Sequence, residues 1–185
     1  MARLFKSLFF VLTLAYPFII YWGQQHVSPV VLSLFVFGMI AIRAYALGLS
    51  TRTGRYWLIG GAALMVLTFL LDQYDPLYWY PALVNLALLL MFGHSLYAPP
   101  SAIERMARLQ DPHLPDHAIE YTRKVTMVWC GFFIINGSIA AATAWYGDEQ
   151  IWTIYNGIIS YSLIASLFIA EWLYRQHYRA KHAST

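Results

Sequence analysis

The sequence predicts an all-α, polytopic membrane protein: six transmembrane helices, both termini cytoplasmic, and one short interfacial helix. Three observations carry this. The 185-residue chain is 59% hydrophobic and only 11% charged, where a soluble domain carries about 25% charged residues. Its apolar residues gather into six runs, Leu8–Trp22, Val27–Leu49, Tyr56–Leu71, Leu77–Ala98, Val125–Tyr146 and Ile151–Tyr174. All twelve Lys and Arg fall on one side of the membrane those runs would cross.

Arg3 and Lys6 precede the first run. Arg43 lies in the last turns of the second, and Arg52 and Arg55 follow it. Arg105, Arg108, Arg123 and Lys124 separate the fourth run from the fifth, and Arg175, Arg179 and Lys181 follow the sixth. The other gaps hold Asp72, Asp75, Asp148 and Glu149 but no Lys or Arg. Short positive loops stay cytoplasmic, which sets the orientation. Six spans of about 20 residues fill the chain, so residues 1–185 read as a single domain. The net charge of +3 is spread over several short segments. It therefore reads as a topology signal and a set of anionic-lipid contacts, with no nucleic-acid partner implied.

The first run imitates a signal peptide, but Tyr16 to Trp22 offers no small residues for cleavage. It is expected to be a retained span, kinked or shortened at Pro17. At roughly 22 Å if helical, it must borrow flanking residues or thin the bilayer. Aromatic rings mark the expected interfaces. Tyr21, Trp22, Tyr78 to Tyr80, Trp145, Tyr146, Trp152 and Tyr155 stand on the outer side. Tyr56, Trp57, Tyr97, Tyr121, Trp172 and Tyr174 stand on the inner one. Rings with one polar atom settle at headgroup level, which accounts for most of the 17% aromatic content.

The one extended polar segment is the cytoplasmic loop 99–124. Pro99-Pro100 ends the fourth span. Ser101-Ala102-Ile103-Glu104 has the form of a capping box opening a short helix through about Leu109. Ile103, Met106 and Leu109 give it an apolar side, while Arg105 and Arg108 supply attraction to anionic headgroups, as an interfacial helix needs. Asp111 to Asp116, with two prolines, breaks that helix, and Asp116 can cap the fifth span. His113 and His117 have a metal-like spacing, but Pro115 interrupts the helix between them. With Asp111, Asp116 and Glu120 they read as a solvated loop. Cys130 is the sole cysteine, inside the fifth run. No nucleophile triad, phosphate loop or metal cluster is discernible, so no catalytic, cofactor or metal residues are expected.

Polar residues inside spans are the better functional pointers, because each is unfavourable in hydrocarbon. They are Asn85, Asn136, Asn156, Arg43 and Glu171. Asn136-Gly137-Ser138-Ile139 and Asn156-Gly157-Ile158-Ile159 echo one another. They read first as interhelical hydrogen bonds beside close glycine contacts, and otherwise as a polar binding site. Arg43 and Glu171 both lie near the inner ends of spans running outside to inside, and a pairing between them would satisfy Arg43 in place. His94, near the inner end of the fourth span, reads as a hydrogen-bonded interface residue.

The stretch Ile103 to Leu109, Leu114-Pro115, Tyr121 to Thr126, Trp129 to Phe133 and Asn136-Gly137 resembles an uncharacterised family of bacterial inner-membrane proteins. Members of that family are encoded among fatty-acid-synthase-like enzymes of aryl polyene type clusters. The resemblance covers about half the chain, from Pro99 onward. It implies a non-enzymatic inner-membrane component that assists production or export of a fatty-acyl or polyene envelope lipid. Its partners would be membrane lipids and cytoplasmic lipid-biosynthesis or envelope proteins. The same region is more distantly similar to septation protein A, which implies instead a scaffold in envelope synthesis and division. Neither resemblance carries catalytic residues.

Two further classes stand beside these. A small lipid transporter or flippase would need a polar cavity near the bilayer midplane and a homodimer. A lipid enzyme would use His94 or the loop histidines. Convergence of the span polar residues on one cavity favours transport, and clustering with His94 favours catalysis. Scatter among helix contacts favours the non-enzymatic component.

Overall fold

A computed structural model describes residues 15–46, 52–71 and 75–182. All its regular structure is helical, with no strand among the described residues. In chain order the elements are α1 (15–23), α2 (Pro29–Ala46), α3 (Arg52–Leu71), α4 (Asp75–Tyr78), α5 (Tyr80–Tyr97), α6 (Ala102–Arg108), α7 (Asp116–Tyr146), α8 (Glu149–Ile154) and α9 (Ser160–His182). A π-helical turn, Tyr155–Ile159, joins α8 to α9. Three helical stretches are long and apolar enough to cross a membrane: Asp75–Tyr97, Asp116–Tyr146 and Glu149–Tyr178. The protein itself buries only 22–33% of their apolar windows. In water that much uncovered apolar surface would be strongly unfavourable, so these are the helices of a membrane-embedded protein. Shorter apolar helices span Pro29–Ile42 and Leu58–Leu70.

Several boundaries differ from the sequence reading. The run from Leu77 is not one helix, because the chain breaks at Trp79, between α4 and α5. Pro81, lacking an N–H, sits in the first turn of α5, where that loss is harmless. α7 begins at Asp116, within a residue of the expected cap, so the end of the loop ahead of the apolar run at Val125 is already helical. Its first helical carbonyl is that of Pro115, which accepts from Ile119 N–H at 3.1 Å. Asp116 is thus a first-turn acid facing the helix dipole, not the cap. α3 includes Arg52 and Arg55, so it starts ahead of the apolar run at Tyr56. The chain N-terminal to residue 15, including the first part of the Leu8–Trp22 run, lies outside the described residues, and Pro17 lies within α1.

The chain divides into two compact units. The first comprises Met1–Tyr80 with Thr143–Ile158. Here Ser28 and Pro29 start α2: Ser28 Oγ accepts from Val31 N–H and its carbonyl from Leu32 N–H. The face Leu32, Val36, Met39 and Ile40 packs into a core with Tyr16, Ile20 and Trp152. Tyr78 and Trp152, two of the rings expected at the outer interface, face the protein interior. The reason is that their polar atoms find partners inside: Trp152 Nε1 donates to the Tyr78 carbonyl at 2.9 Å, and Tyr78 Oη donates to Gln24. Trp22, Trp145 and Tyr146 do stay exposed.

The second unit comprises Pro81–Ala142 with Ile159–Thr185. Rings of Phe92, Trp129, Phe133 and Phe168 interlock in it, with centroids 4.7–5.7 Å apart. Asn136 Nδ2 donates to Asn85 Oδ1 at 3.1 Å, joining α7 to α5, and Asn85 Nδ2 donates back to the Pro81 carbonyl.

Candidate functional site

In the second unit, α6, the start of α7 and the end of α9 enclose a groove of about 630 Å³. Helical periodicity builds two of its walls. On α7, Ala118, Tyr121, Thr122, Val125 and Trp129 recur every three or four residues and so share one face. On α9, Phe168, Glu171, Arg175 and Tyr178 do the same. Ile103 and Met106 of α6 close the third side. One end of the groove is apolar, floored by Trp129, Phe168, Val125 and Ile103. The other end is polar, bordered by Asp111, His117, Arg175 and Tyr178.

Hydrogen bonds fix the polar end. Tyr121 Oη donates to Glu171 Oε1 at 3.0 Å, and Arg175 Nε approaches the same oxygen at 3.5 Å. Tyr178 Oη donates to the His117 carbonyl at 3.2 Å. The Tyr121 and Tyr178 rings stack with centroids 4.9 Å apart, and Tyr174 stacks on Tyr121 at 6.0 Å. Glu171 is therefore engaged within its own unit, by Tyr121 and Arg175. The side chain of Arg43, its expected partner, lies outside those described.

The expected capping box is present: Ser101 Oγ accepts from Glu104 N–H, and Glu104 Oε2 accepts from Ser101 N–H. The first N–H groups of a helix have no partner of their own. Here Ala102 N–H donates to Ser95 Oγ on α5 at 2.8 Å, and Ile103 N–H to Thr126 Oγ1 on α7 at 3.3 Å. So α6 is held by the protein and is not merely laid on a surface. Met106 and Leu109 stay exposed on it, while Ile103 is half-buried.

The arginines are bound up in the same scaffold. Arg105 donates to the carbonyls of Pro100 and Ala98, and Arg123 to that of Leu96, which serves the carbonyls at and beyond the end of α5. Arg108 grips the buried Glu104 with Nε and Nη2 at 2.9 and 2.8 Å and reaches the Pro112 carbonyl with Nη1. Arg108→Gln should therefore loosen the loop. Hydrogen bonds to a charged group contribute about 1.5–3 kcal/mol, at the lower end here because Arg108 is partly exposed. Limited proteolysis between Pro99 and Pro115 should accelerate several-fold, and an unchanged rate would mean that the pair does not hold the loop.

The remaining sequence candidates lie apart from the groove lining. Asn136 is in the Asn85 pair. Asn156, in the π turn, donates to the Trp152 carbonyl at 2.9 Å and to Thr143 Oγ1 at 3.3 Å, all within the first unit. A Cβ at Gly157 would fall 2.9 Å from the Phe18 ring, and one at Gly137 2.9 Å from Asn85 Cβ. Both halves of the echo thus place a hydrogen-bonding Asn beside a glycine that admits a close neighbour. His94 is on an exposed side of α5. Backbone N–H of His113 donates to Asp111 Oδ1, a local turn within the loop. Sequence reasoning missed Tyr121, Arg175, Tyr178, Ser95 and Thr126 as site residues. The three-and-four spacing of 118, 121, 122, 125 and 129 was a signal, obscured because the charged segment 116–124 dilutes the apolar pattern there.

No family model, curated protein or solved structure matches this chain.

Proposed function

We propose that this is a six-span bacterial inner-membrane protein with both termini cytoplasmic, a non-enzymatic component that assists production or export of an envelope lipid. The observation that carries the reading is the groove. It runs from a polar mouth to an apolar floor on the long apolar helices α7 and α9, which suits an amphiphile. The charge asymmetry of the sequence supports the orientation, with this groove on the cytoplasmic side. Within each unit the span asparagines bond across helix contacts, Asn136 to Asn85 and Asn156 to Thr143, which supports a packing role for them.

Two measurements test this. Reporter fusions after Arg55, Arg108 and Arg179 should report cytoplasm, and fusions at Gln25, Asp75 and Asp148 the opposite side. An external signal at Arg108 would overturn the layout. Deletion of the gene should then change the acyl or polyene lipids of the envelope, and an unchanged lipid profile with altered cell division would favour the septation-type scaffold instead.

A further inference from the structure

We infer that the groove binds a zwitterionic phospholipid, its phosphate on Arg175 and its ammonium on the carboxylates of Glu171 and Asp111. This rests on the membrane placement above and names the ligand of that same groove.

The dimensions fit an interfacial lipid site. From His117 to Trp129 along α7 is about 18 Å by helical rise. The hydrocarbon of one leaflet is about 15 Å deep. The polar end lies before the apolar run that starts at Val125, and the floor lies one turn inside it. A lipid seated there keeps its headgroup in the polar mouth and lays the start of a chain on Trp129 and Phe168.

The charge of the lining selects the headgroup. Asp111 and Glu171 set two acids against one base, Arg175, for a net charge of −1 among Asp, Glu, Lys and Arg. A purely anionic lipid therefore meets opposition, and the nearby Arg105, Arg108 and Arg123 are bonded to the loop and α5. Glu171 meets Arg175 at Nε, 3.5 Å away, and a phosphate on the Nη edge would take the two-pronged arrangement that guanidinium favours. An ammonium one ethylene away then has the carboxylates of Glu171 and Asp111 for charge-assisted contacts. Ammonium and phosphate together are the phosphoethanolamine head.

The test uses the full-length protein purified into detergent and reconstituted in nanodiscs containing equal photoreactive phosphatidylethanolamine and phosphatidylglycerol. Cross-links mapped by mass spectrometry should fall on residues 103–129 and 168–178, with phosphatidylethanolamine ahead by about tenfold, as loss of one charge-assisted contact would predict. Glu171→Gln should bring the two lipids close to parity. Ala118→Phe, which fills the groove without touching a charge, should abolish labelling there while melting temperature stays near wild type. If that variant fails to fold, Met106→Trp at the groove's edge serves in its place. Equal labelling by both lipids in the wild type would reduce the site to ordinary boundary lipid and overturn the proposal. So would displacement of the label by free phosphoethanolamine, which would indicate a soluble ligand. Neither of those results bears on the reporter fusions or the lipid profile, so failure of this inference is distinguishable from failure of the functional reading.

Discussion

Trp152→Ala is expected to give the largest loss of stability among the described residues, about 3–5 kcal/mol for removing a buried aromatic. Trp152 is 1% exposed, the bulkiest fully buried side chain described. Its ring lies 5.0 Å from Tyr78 and 6.4 Å from Tyr16, so truncation opens a cavity at the centre of the first unit. It also deprives the Tyr78 carbonyl of the indole N–H. Trp152→Phe keeps most of the volume and forfeits the hydrogen bond, so it should cost about 1–2 kcal/mol. Thermal unfolding of the purified protein in detergent would rank the three. Melting of Trp152→Ala within about 2 °C of wild type would contradict this account of the core.

Gly137→Val is the second large effect, and it acts by distance rather than by cavity. A Cβ at Gly137 would stand 2.9 Å from Asn85 Cβ, an atom fixed to the α5 backbone that no rotamer can move away. The helices must therefore separate, which strains the Asn136–Asn85 hydrogen bond of 3.1 Å as well. Overpacking of this kind destabilises by about 1–3 kcal/mol. Asn136→Leu removes the hydrogen bond without changing the backbone approach. Contacts of that type average about 0.6 kcal/mol in membrane proteins, so the glycine should matter more than the asparagine. Gly131→Ala, on the same helix with nothing within 4 Å of the added carbon, is the control expected to be neutral or better. If Asn136→Leu proved the more damaging, polar bonding and not close packing would dominate this contact.

Helical class, the long apolar stretches and the capping box were legible because each depends on neighbouring residues alone. Ser101 and Glu104 carry their geometry in a four-residue pattern. The start of α7 was legible from the cap candidate Asp116 and not from hydropathy. α7 begins in a charged segment, Asp116 to Lys124, where hydropathy gives no signal although an Asp in the first turn and a Glu120–Lys124 pair at 2.7 Å suit a helix. Which rings turn inward was not legible: nothing local to Tyr78 or Trp152 reveals that each will find a partner distant in sequence. The π turn at Asn156 was invisible for a similar reason, since Tyr155–Ile159 has no marker apart from Gly157. The groove itself joins residues fifty positions apart, such as Tyr121 and Glu171, and only folding brings them together.

In the proposed orientation, the loop arginines act at two moments in the life of the molecule. While the chain is being threaded into the bilayer, Arg105, Arg108 and Arg123 are simply charges, and their number decides which way the neighbouring helices face. Once α5, α6 and α7 have met, those guanidiniums are engaged by Pro100, Ala98, Glu104, Pro112 and Leu96. The signal that guided insertion is then consumed as joinery. Charge matters first, and the planar fork of the guanidinium, which a lysine lacks, matters afterwards.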